Sequence, residues 1–376
     1  MMLDKYLEKD TKEIYIPEKD WEELNKKYTR DEISEAFIEH ILAGDIRLPT
    51  KAITLEEAKT DFLDMKYSES ESNFHKGEWF SRGEYTYPLG NEYLSCGTLG
   101  SKASNYFQQD NRYECGHRTC KSPKEVWSSR RDLKSILKAL WTLHCTEIDI
   151  DDLQACIRLR KYVASQFKPM IAKTIYDHFK AESVCDFSMG WGDRLCGFYG
   201  SGAKFYFGTD PNTKVFETYK KQIEFYNSLI RKPKKTEIHN LPAEDVDFGK
   251  ERFDLCFTSP PYFKAEEYSK EETQSYLRYD TSDAWLDGFL LTVISKVWTA
   301  LKPNGILALN IADIYGHAFC DKMNDYIKHL GGKEYSCIGM RMSKRPNSNA
   351  DDDGTFCEPI WIWRKEGSGH KENSFW

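Results

Sequence analysis

The chain has 376 residues, of which 40% are hydrophobic and 14% aromatic, and its formal net charge is −7. This composition is sufficient for a sizeable core and excludes global disorder. The acidic balance excludes a protein that attracts nucleic acid by its overall charge, so any such contact must come from local basic patches.

Neither a disulfide framework nor a membrane segment is expected. The 11 cysteines are odd in number and include no Cys-x-x-Cys pair, a pattern typical of reduced thiols in a cytoplasmic protein. The N-terminus is charged from its fourth residue and has no apolar signal segment. The longest apolar stretch, 284–301, is interrupted by Asp287 and Lys296, so it is too short and too charged to span a bilayer.

The length favours two domains or one enlarged domain. Residues 1–65 are charged and have a helical pattern, residues 66–125 are rich in Ser, Gly, Tyr and Asn, and residues 125–180 again have a helical pattern. We therefore expect a mainly helical N-terminal module over 1–150, an α/β domain over 151–366 and a polar tail over 367–376.

From Ser183 onward, short β-rich runs alternate with helical runs, which predicts a parallel, doubly wound sheet. The last two β-rich runs predict an antiparallel hairpin added at one edge of this sheet. The β-rich runs are 183–188, 203–210, 236–240, 253–259, 305–311, 336–342 and 357–363, and the helical runs are 213–232, 283–302 and 320–332.

The first predicted strand ends at Asp186, and Gly190 and Gly192 follow it in a turn that leads into a helix. Glycines at such a turn allow backbone N–H groups to approach a ligand closely at a helix N-terminus. The pattern lacks a full Gly-x-Gly-x-x-Gly, so a tight turn without a ligand is the alternative interpretation.

Acidic residues follow the next two predicted strands. Asp210 ends the second strand about 20 residues after the glycines, where doubly wound folds bind ribose hydroxyls. Glu244 and Asp245 follow the third strand, within reach of an adenine amino group. Each acid alone is also typical of a solvated loop, and it is their succession that favours a nucleoside pocket.

The fourth predicted strand ends in Ser259-Pro260-Pro261-Tyr262. Two prolines terminate a strand and fix the backbone. The Ser259 hydroxyl and the Pro260 carbonyl can then accept hydrogen bonds from an exocyclic amino group, and Tyr262 offers a flat face on which an extruded base could stack. These four residues are the predicted catalytic motif.

Residues 167–365 resemble the S-adenosylmethionine-dependent amino-methyltransferases that methylate cytosine N4 or adenine N6 in DNA. The resemblance lies in the "DFSMGWGDR" loop, the "TSPPY" motif, the "FKPMIAKTIYDHF" segment and the "ALKPNGILALNIAD" strand. It implies a Rossmann-like methyltransferase fold, S-adenosylmethionine as cofactor and base flipping. It also implies that Phe167, Pro169, Asp186 and Ser188 join the cofactor site. No metal is expected, because a sulfonium methyl group is already activated.

The resemblance implies DNA as partner, and Ser259 favours cytosine N4 slightly over adenine N6. The chain could also be the methyltransferase of a restriction-modification pair. The alternatives are an enzyme of the same fold that methylates guanine N2 in RNA or a glutamine in protein, and an inactive binding subunit. The sequence decides neither the recognition site nor the oligomeric state.

Basic residues that could contact phosphates occur in two places. Arg130 and Arg131 close the segment 101–131, in which aromatic, amide and basic residues mix; an ordinary polar surface explains this segment equally well. Arg341, Lys344 and Arg345 lie in the predicted terminal hairpin.

Two other segments admit a functional and a plain interpretation. Residues 266–279 follow the catalytic motif and could form a lid over a flipped base or a connecting loop. Cys115, His117 and Cys120, with Cys96, could bind zinc, but their spacing favours buried thiols in a loop.

Overall fold

The structure is a computed structural model and describes residues 2–314, 316–342 and 354–367. These residues form two compact units. The smaller unit takes the described residues up to 53, together with 109–165 and 265–269, and the larger unit takes 54–108, 166–264 and the described residues from 270 onward. Residues 54–108, which the sequence placed in the N-terminal module, thus cluster with the larger unit.

Four helices begin at a complete capping box. The side chains of Thr29, Thr54, Ser122 and Asp149 each accept a backbone N–H, and the backbone N–H of each donates to the carboxylate of the acid three residues later. The α-helices are α1 Glu18–Lys27, α2 Arg30–Ala43, α3 Leu55–Tyr67, α4 Ser101–Glu114, α5 Pro123–Trp127, α6 Arg130–Leu137, α7 Ala139–Thr142, α8 Ile150–Arg160, α9 Pro169–His178, α10 Asp193–Gly200, α11 Thr213–Leu229, α12 Ser275–Arg278, α13 Ser282–Trp285, α14 Thr292–Ala300 and α15 Cys320–His329.

Shorter helical turns and the strands complete the element list. The 3₁₀ turns are Asp4–Tyr6, Glu71–Asn73 and Ala243–Asp245, and a π-helical turn, Leu286–Leu291, lies between α13 and α14. The strands are β1 Leu7–Glu8, β2 Glu13–Ile14, β3 Phe74–Lys76, β4 Trp79–Phe80, β5 Glu92–Leu94, β6 Gly116–His117, β7 Ser183–Asp186, β8 Phe205–Thr209, β9 Lys235–His239, β10 Phe253–Thr258, β11 Glu266–Glu267, β12 Leu301–Asn310, β13 Gly332–Arg341 and β14 Thr355–Lys365.

The smaller unit is mainly helical. Its core is built from the inward faces of α1, α2, α6 and α8, with Trp21, Phe37, Leu133 and Ile157 among the buried side chains. Two short pairs of strands, β1 with β2 and β6 with β11, accompany these helices.

The larger unit is built around one mixed sheet in the order β3-β5-β13-β14-β12-β10-β7-β8-β9, with β4 paired to β14. The strands β12, β10, β7, β8 and β9 run parallel, and β14 runs antiparallel between β12 and β13. This topology confirms the predicted doubly wound α/β fold with a closing antiparallel hairpin.

The sheet extends further than the sequence predicted. We expected the hairpin to form one edge, but β5 pairs with β13 and β3 pairs with β5. Residues 74–94 therefore supply a strand, β5, that pairs with the backbone N–H and C=O groups of β13. Without this pairing, β13 would be an exposed edge strand, which native proteins usually protect. Among the described residues, no helix combines the length and the apolar character that crossing a bilayer demands.

Candidate active site

The predicted site residues follow strands that end at one edge of the parallel sheet. Asp186 at the end of β7 is in register with Gly208 of β8, and Cys256 of β10 is in register with Cys185. The loops after β7, β8 and β10 therefore adjoin one another at the carboxyl ends of the strands, where doubly wound sheets bind ligands.

The glycine loop between β7 and α10 needs glycine at both predicted positions. Gly190 and Gly192 have φ values of 57° and 73°, in the left-handed region that disfavours side chains. A Cβ at Gly192 would lie 2.5 Å from Oε1 of the buried Gln222. A Cβ at Gly190 would meet nothing closer than the Ser188 carbonyl oxygen at 3.9 Å, so this position borders open space.

Asp210 closes the site on the β8 side. Its Oδ2 accepts the Gly190 N–H at 2.9 Å, and its Oδ1 accepts the Asn212 N–H at 3.0 Å. Burial raises the pKa of Asp210 to about 6. Each carboxylate oxygen retains a further lone pair, so the group can still accept from a ligand hydroxyl.

Tyr219 of α11 also contacts the glycine loop. Its hydroxyl donates to the Gly190 carbonyl oxygen, and its interaction with the Asp210 carboxylate is one of the smaller effects that lower the pKa of Asp210 against burial. The side chain is fully buried. Tyr219 was not predicted as a site residue, because a tyrosine in an amphipathic helix reads as core.

Asp186 is fully buried and is surrounded by donors from the protein. Arg194 donates to both carboxylate oxygens, at 2.9 and 3.2 Å. The Tyr206 and Thr258 hydroxyls each donate at 2.8 Å, and the Ser188 N–H donates at 3.2 Å. Asp186 therefore joins the glycine loop to β8 and β10, and a contact of its own with the cofactor stays a prediction.

Phe167 and Pro169 flank this network. The Phe167 ring is half-buried, with its centroid 5.2 Å from the Arg194 guanidinium and 5.8 Å from the Phe257 ring. Pro169 is the buried first residue of α9, and its carbonyl oxygen would lie 2.6 Å from a Cβ on Gly197 of α10. Phe167 can cover a ligand on the loop, whereas Pro169 positions α9 against α10.

The catalytic motif continues directly from β10. Ser259 and Tyr262 are half-buried, and Pro260 is buried between them. Phe263, which follows, has a φ of 45°, an unusual value for a bulky residue and a form of strain typical of functional sites. The motif lies between the buried end of β10 and this residue of unusual φ, and the rigidity expected from its two prolines stays a prediction.

Tyr262 has contacts on two sides. Its ring packs against the core of the larger unit, and its hydroxyl donates to Oε2 of Glu358 on β14 at 3.3 Å. Burial raises the pKa of Tyr262 well above its ordinary value, and a hydrogen bond with the Ser259 side chain opposes this shift. The hydroxyl therefore has partners that the motif alone does not reveal.

Glu244 and Asp245 follow β9 as predicted, but both pair with residues of the segment after the motif. The Arg278 guanidinium lies 2.9 Å from a carboxylate oxygen of each, and the Tyr279 hydroxyl donates to Glu244 at 3.1 Å. Burial raises the pKa of Glu244. Arg278 and Tyr279, at the end of the segment 266–279, thus contact the acids predicted to bind adenine, and the lid interpretation of that segment stays a prediction.

The predicted phosphate-binding residues differ in their surroundings. In the smaller unit, Arg130 pairs with Glu35 at 2.5 Å and with Glu39, while Arg131 is exposed. In the larger unit, Arg341 is exposed at the end of β13 and lies 3.4 Å from the Ser95 hydroxyl. Lys344 and Arg345 lie outside the described residues.

In the described part of the chain, the cysteines that suggested a zinc site lie in a loop. Cys115 is buried, and burial raises its pKa. The His117 ring packs against Tyr162 with centroids 4.8 Å apart. Over residues 2–314, 316–342 and 354–367, no group of three or more His, Cys, Asp or Glu side chains has an arrangement that could hold a metal ion.

No family model matches the chain, and no curated protein matches it. Similar solved structures include a tRNA (m1A58) methyltransferase from Aquifex aeolicus, with 12% identity and a TM-score of 0.36 over 55% of this chain and 72% of that one. A SAM-dependent O-methyltransferase from Thermotoga maritima has 11% identity and a TM-score of 0.37 over 58% and 72%.

A third similar structure is the 1,6-didemethyltoxoflavin-N1-methyltransferase from Burkholderia thailandensis, which has bound 1,6-didemethyltoxoflavin and S-adenosylhomocysteine. It has 14% identity and a TM-score of 0.34 over 52% of this chain and 76% of that one. Identities and TM-scores this low do not carry an activity from these proteins to this chain.

Proposed function

We propose that the chain is an S-adenosylmethionine-dependent methyltransferase that acts on an exocyclic amino group of a base in DNA. One observation carries this proposal. The glycine loop, the Asp210 carboxylate and the Ser259–Tyr262 motif lie after neighbouring parallel strands, and hydrogen bonds from Gly190 to Asp210 and from Thr258 to Asp186 join the three loops.

The residues at this edge fit S-adenosylmethionine. A side chain would find room beside Gly190, so a ligand could approach the loop there, next to the Asp210 carboxylate that the Gly190 N–H holds. Asp210 would accept the ribose hydroxyls, and the Phe167 ring would cover the methionine end. Glu244 could accept a hydrogen bond from an adenine amino group when its ion pair with Arg278 opens or leaves one carboxylate oxygen available.

The cofactor supplies an activated methyl group when bound. The chain has to hold the target nitrogen in line with that methyl carbon and to exclude water. The Ser259 hydroxyl and the Pro260 carbonyl would accept the two amino hydrogens and so direct the nitrogen lone pair. The Tyr262 ring would stack on the extruded base, and residues 266–279 would close over it.

Ser259 at the head of the motif slightly favours cytosine N4 over adenine N6. Recognition of the DNA is assigned to basic and aromatic residues outside the motif, with Arg131 and Arg341 exposed for phosphate contacts. A chain starting near residue 150 would lose α3, β3 and β5 of the larger unit, so point variants test recognition better than truncation does.

The test is methyl transfer from radiolabelled S-adenosylmethionine to duplex DNA, tRNA and protein in parallel. We expect label in DNA, and digestion to nucleosides should then yield N4-methylcytosine or N6-methyladenine. Ser259→Ala should lose most of the transfer and keep cofactor affinity, whereas Ser295→Ala, at a half-buried position of α14, is the control and should change neither. Label in tRNA or protein alone would replace DNA as the substrate, and no cofactor binding by calorimetry would refute the proposal.

A further inference from the structure

Glu358 is the one charged residue in the run Cys357–Trp363 of β14. Its neighbours Cys357 and Pro359 are buried, and Glu358 itself is half-buried. β14 lies inside the sheet, between β12 and β13. A carboxylate at such a position opposes folding unless donors surround it, so its presence calls for a reason beyond packing.

The donors around Glu358 are few. Among the residues that the structure describes, the hydrogen bond that its carboxyl accepts comes from the Tyr262 hydroxyl, at 3.3 Å. The charged group that acts on it is the exposed Arg82, which lowers its pKa, but desolvation is the larger effect and raises the pKa above its ordinary value. The carboxyl is therefore a stronger base than an exposed glutamate.

The carboxyl is connected to the head of the catalytic motif. Ser259 and Tyr262 belong to the same four-residue motif, and the Ser259 side chain lowers the pKa of Tyr262 against the larger effect of burial, while the Tyr262 hydroxyl donates to Glu358 at 3.3 Å. Three oxygen atoms thus stand in sequence, from a serine that faces the proposed amino group to a partly desolvated carboxylate. Cys320 is the other titratable group that acts on Tyr262.

We propose that Ser259, Tyr262 and Glu358 form a proton relay that removes the proton released by methyl transfer. This inference rests on the proposed function. As the amino nitrogen forms its bond to the methyl carbon, the sulfur–carbon bond breaks and its electron pair stays on sulfur. The nitrogen then carries a positive charge and must lose one proton.

The proton passes from the nitrogen to the Ser259 oxygen. The serine hydroxyl proton passes to the Tyr262 oxygen, and the tyrosine proton passes to Glu358. Both hydroxyls are restored, Glu358 gains one proton, and it returns that proton to solvent after product release. In this scheme Ser259 is the catalytic residue that touches substrate, and Glu358 acts through Tyr262.

A carboxyl with only a structural role would behave differently from a relay base. Because the folded pKa of Glu358 lies above its unfolded value, its ionisation opposes folding, and this penalty is present at pH values above the folded pKa. Glu358→Gln keeps the acceptor for Tyr262 and removes the charge. It should therefore melt at the same temperature as wild type or higher, while methyl transfer slows.

The test is single-turnover methylation of DNA from pH 5 to 9 with the full chain and prebound S-adenosylmethionine. Glu358→Gln and Tyr262→Phe should each slow transfer by about 100-fold, the lower end of a general-base contribution. The double variant should be no slower than either, because the residues act in series. The variants should also lose the low-pH limb of the wild-type profile, and Glu334→Gln on β13, which pairs with Arg364, should retain it.

Three results would overturn the relay: wild-type rates and pH profile in Glu358→Gln, additive losses in the double variant, or a loss of rate matched by a lower melting temperature and weaker cofactor binding. The wild type separates these results from a failure of the proposed function. If it binds cofactor but methylates none of the three acceptors, the proposed function fails and the relay falls with it. If it methylates DNA and Glu358→Gln does so equally well, the relay alone fails.

Discussion

Asp186 and Glu358 are two carboxylates of the same sheet with opposite surroundings. Asp186 accepts five hydrogen bonds, from the Ser188 N–H, Arg194, Tyr206 and Thr258. Glu358 accepts one from the described residues, and its pKa is raised. The comparison indicates two roles for an acid in the sheet. Asp186, whose carboxylate accepts hydrogen bonds on both oxygens, stabilises the fold, whereas Glu358, which has few donors, is available to bind a proton.

The largest expected effect is a loss of stability when the hydrogen-bond network around Asp186 is disrupted. Asp186→Asn leaves the buried Arg194 guanidinium without its counter-charge, which should lower the free energy of unfolding by about 3–5 kcal/mol. Urea unfolding measures this loss. Glu182→Gln, at the other end of β7, removes an exposed ion pair with Lys204 and should change stability little. Equal effects of the two variants would show that Asp186 does not hold the scaffold.

The second prediction concerns the tyrosine that joins Glu358 to the motif. Tyr262→Ala removes the ring as well as the hydroxyl, so it should slow methylation by up to ~100-fold beyond the loss in Tyr262→Phe and leave cofactor affinity near wild type, because stacking on a base contributes about 1–3 kcal/mol. Tyr262→Trp keeps an aromatic face and should retain more activity. A thermal melt beside the single-turnover assay is the measurement. If Ala instead lowers stability, cofactor affinity and rate together, the ring serves only the core that it packs against.

The contrast between the two acids also shows how far the sequence leads. Asp186, Gly190 and Asp210 follow predicted strands, and the rule that strand ends meet at one edge places them together. Glu358 lies 96 residues beyond Tyr262, and its contact depends on β14 inserting between β12 and β13. Local pattern carries no information about that pairing. For the same reason the ring of Tyr262 could be assigned a role from the sequence and its hydroxyl could not.

The strands from residues 74–94 illustrate the same limit. They are two or three residues long, so no alternation of apolar and polar residues can form within them. Their positions depend on distant strands, because β5 pairs with β13, β3 pairs with β5 and β4 pairs with β14. The arginine partner of Asp186 was also missed, because a charged residue in the first turn of α10 resembles an ordinary solvated position.

The third prediction is that Asp210→Ala weakens cofactor binding by about 1–3 kcal/mol, the value of charge-assisted hydrogen bonds to the ribose. Calorimetry with S-adenosylmethionine measures it. Asp247→Ala, in the loop after the Ala243–Asp245 turn, is the control and should bind as wild type does. Unchanged affinity in a folded Asp210→Ala protein would remove this residue from the cofactor site.

The fourth prediction follows from the pKa of about 6 for Asp210. Ribose hydroxyls donate to the ionised carboxylate, so affinity should be constant above this pH and fall below it by at most about tenfold per pH unit. The raised pKa also means that ionisation opposes folding, so this group costs stability as the pH rises from 3.8 to about 6. Asp210→Asn should abolish the pH dependence of binding. A flat wild-type profile from pH 5 to 8 would contradict the assignment.

The smallest expected effect is that of Tyr219→Phe, which removes one hydroxyl and keeps the ring in the core. Loss of its hydrogen bond to the Gly190 carbonyl should weaken cofactor binding by about 0.5–1.5 kcal/mol. Because this hydroxyl also lowers the pKa of Asp210, the midpoint of the pH dependence should move upward and the dependence should persist, unlike in Asp210→Asn. Tyr226→Phe, two helical turns further along α11 and equally buried, is the matched control and should leave both affinity and midpoint unchanged. A weaker affinity with an unmoved midpoint would mean that Tyr219 supports only the loop backbone and has no effect on the carboxylate beside it.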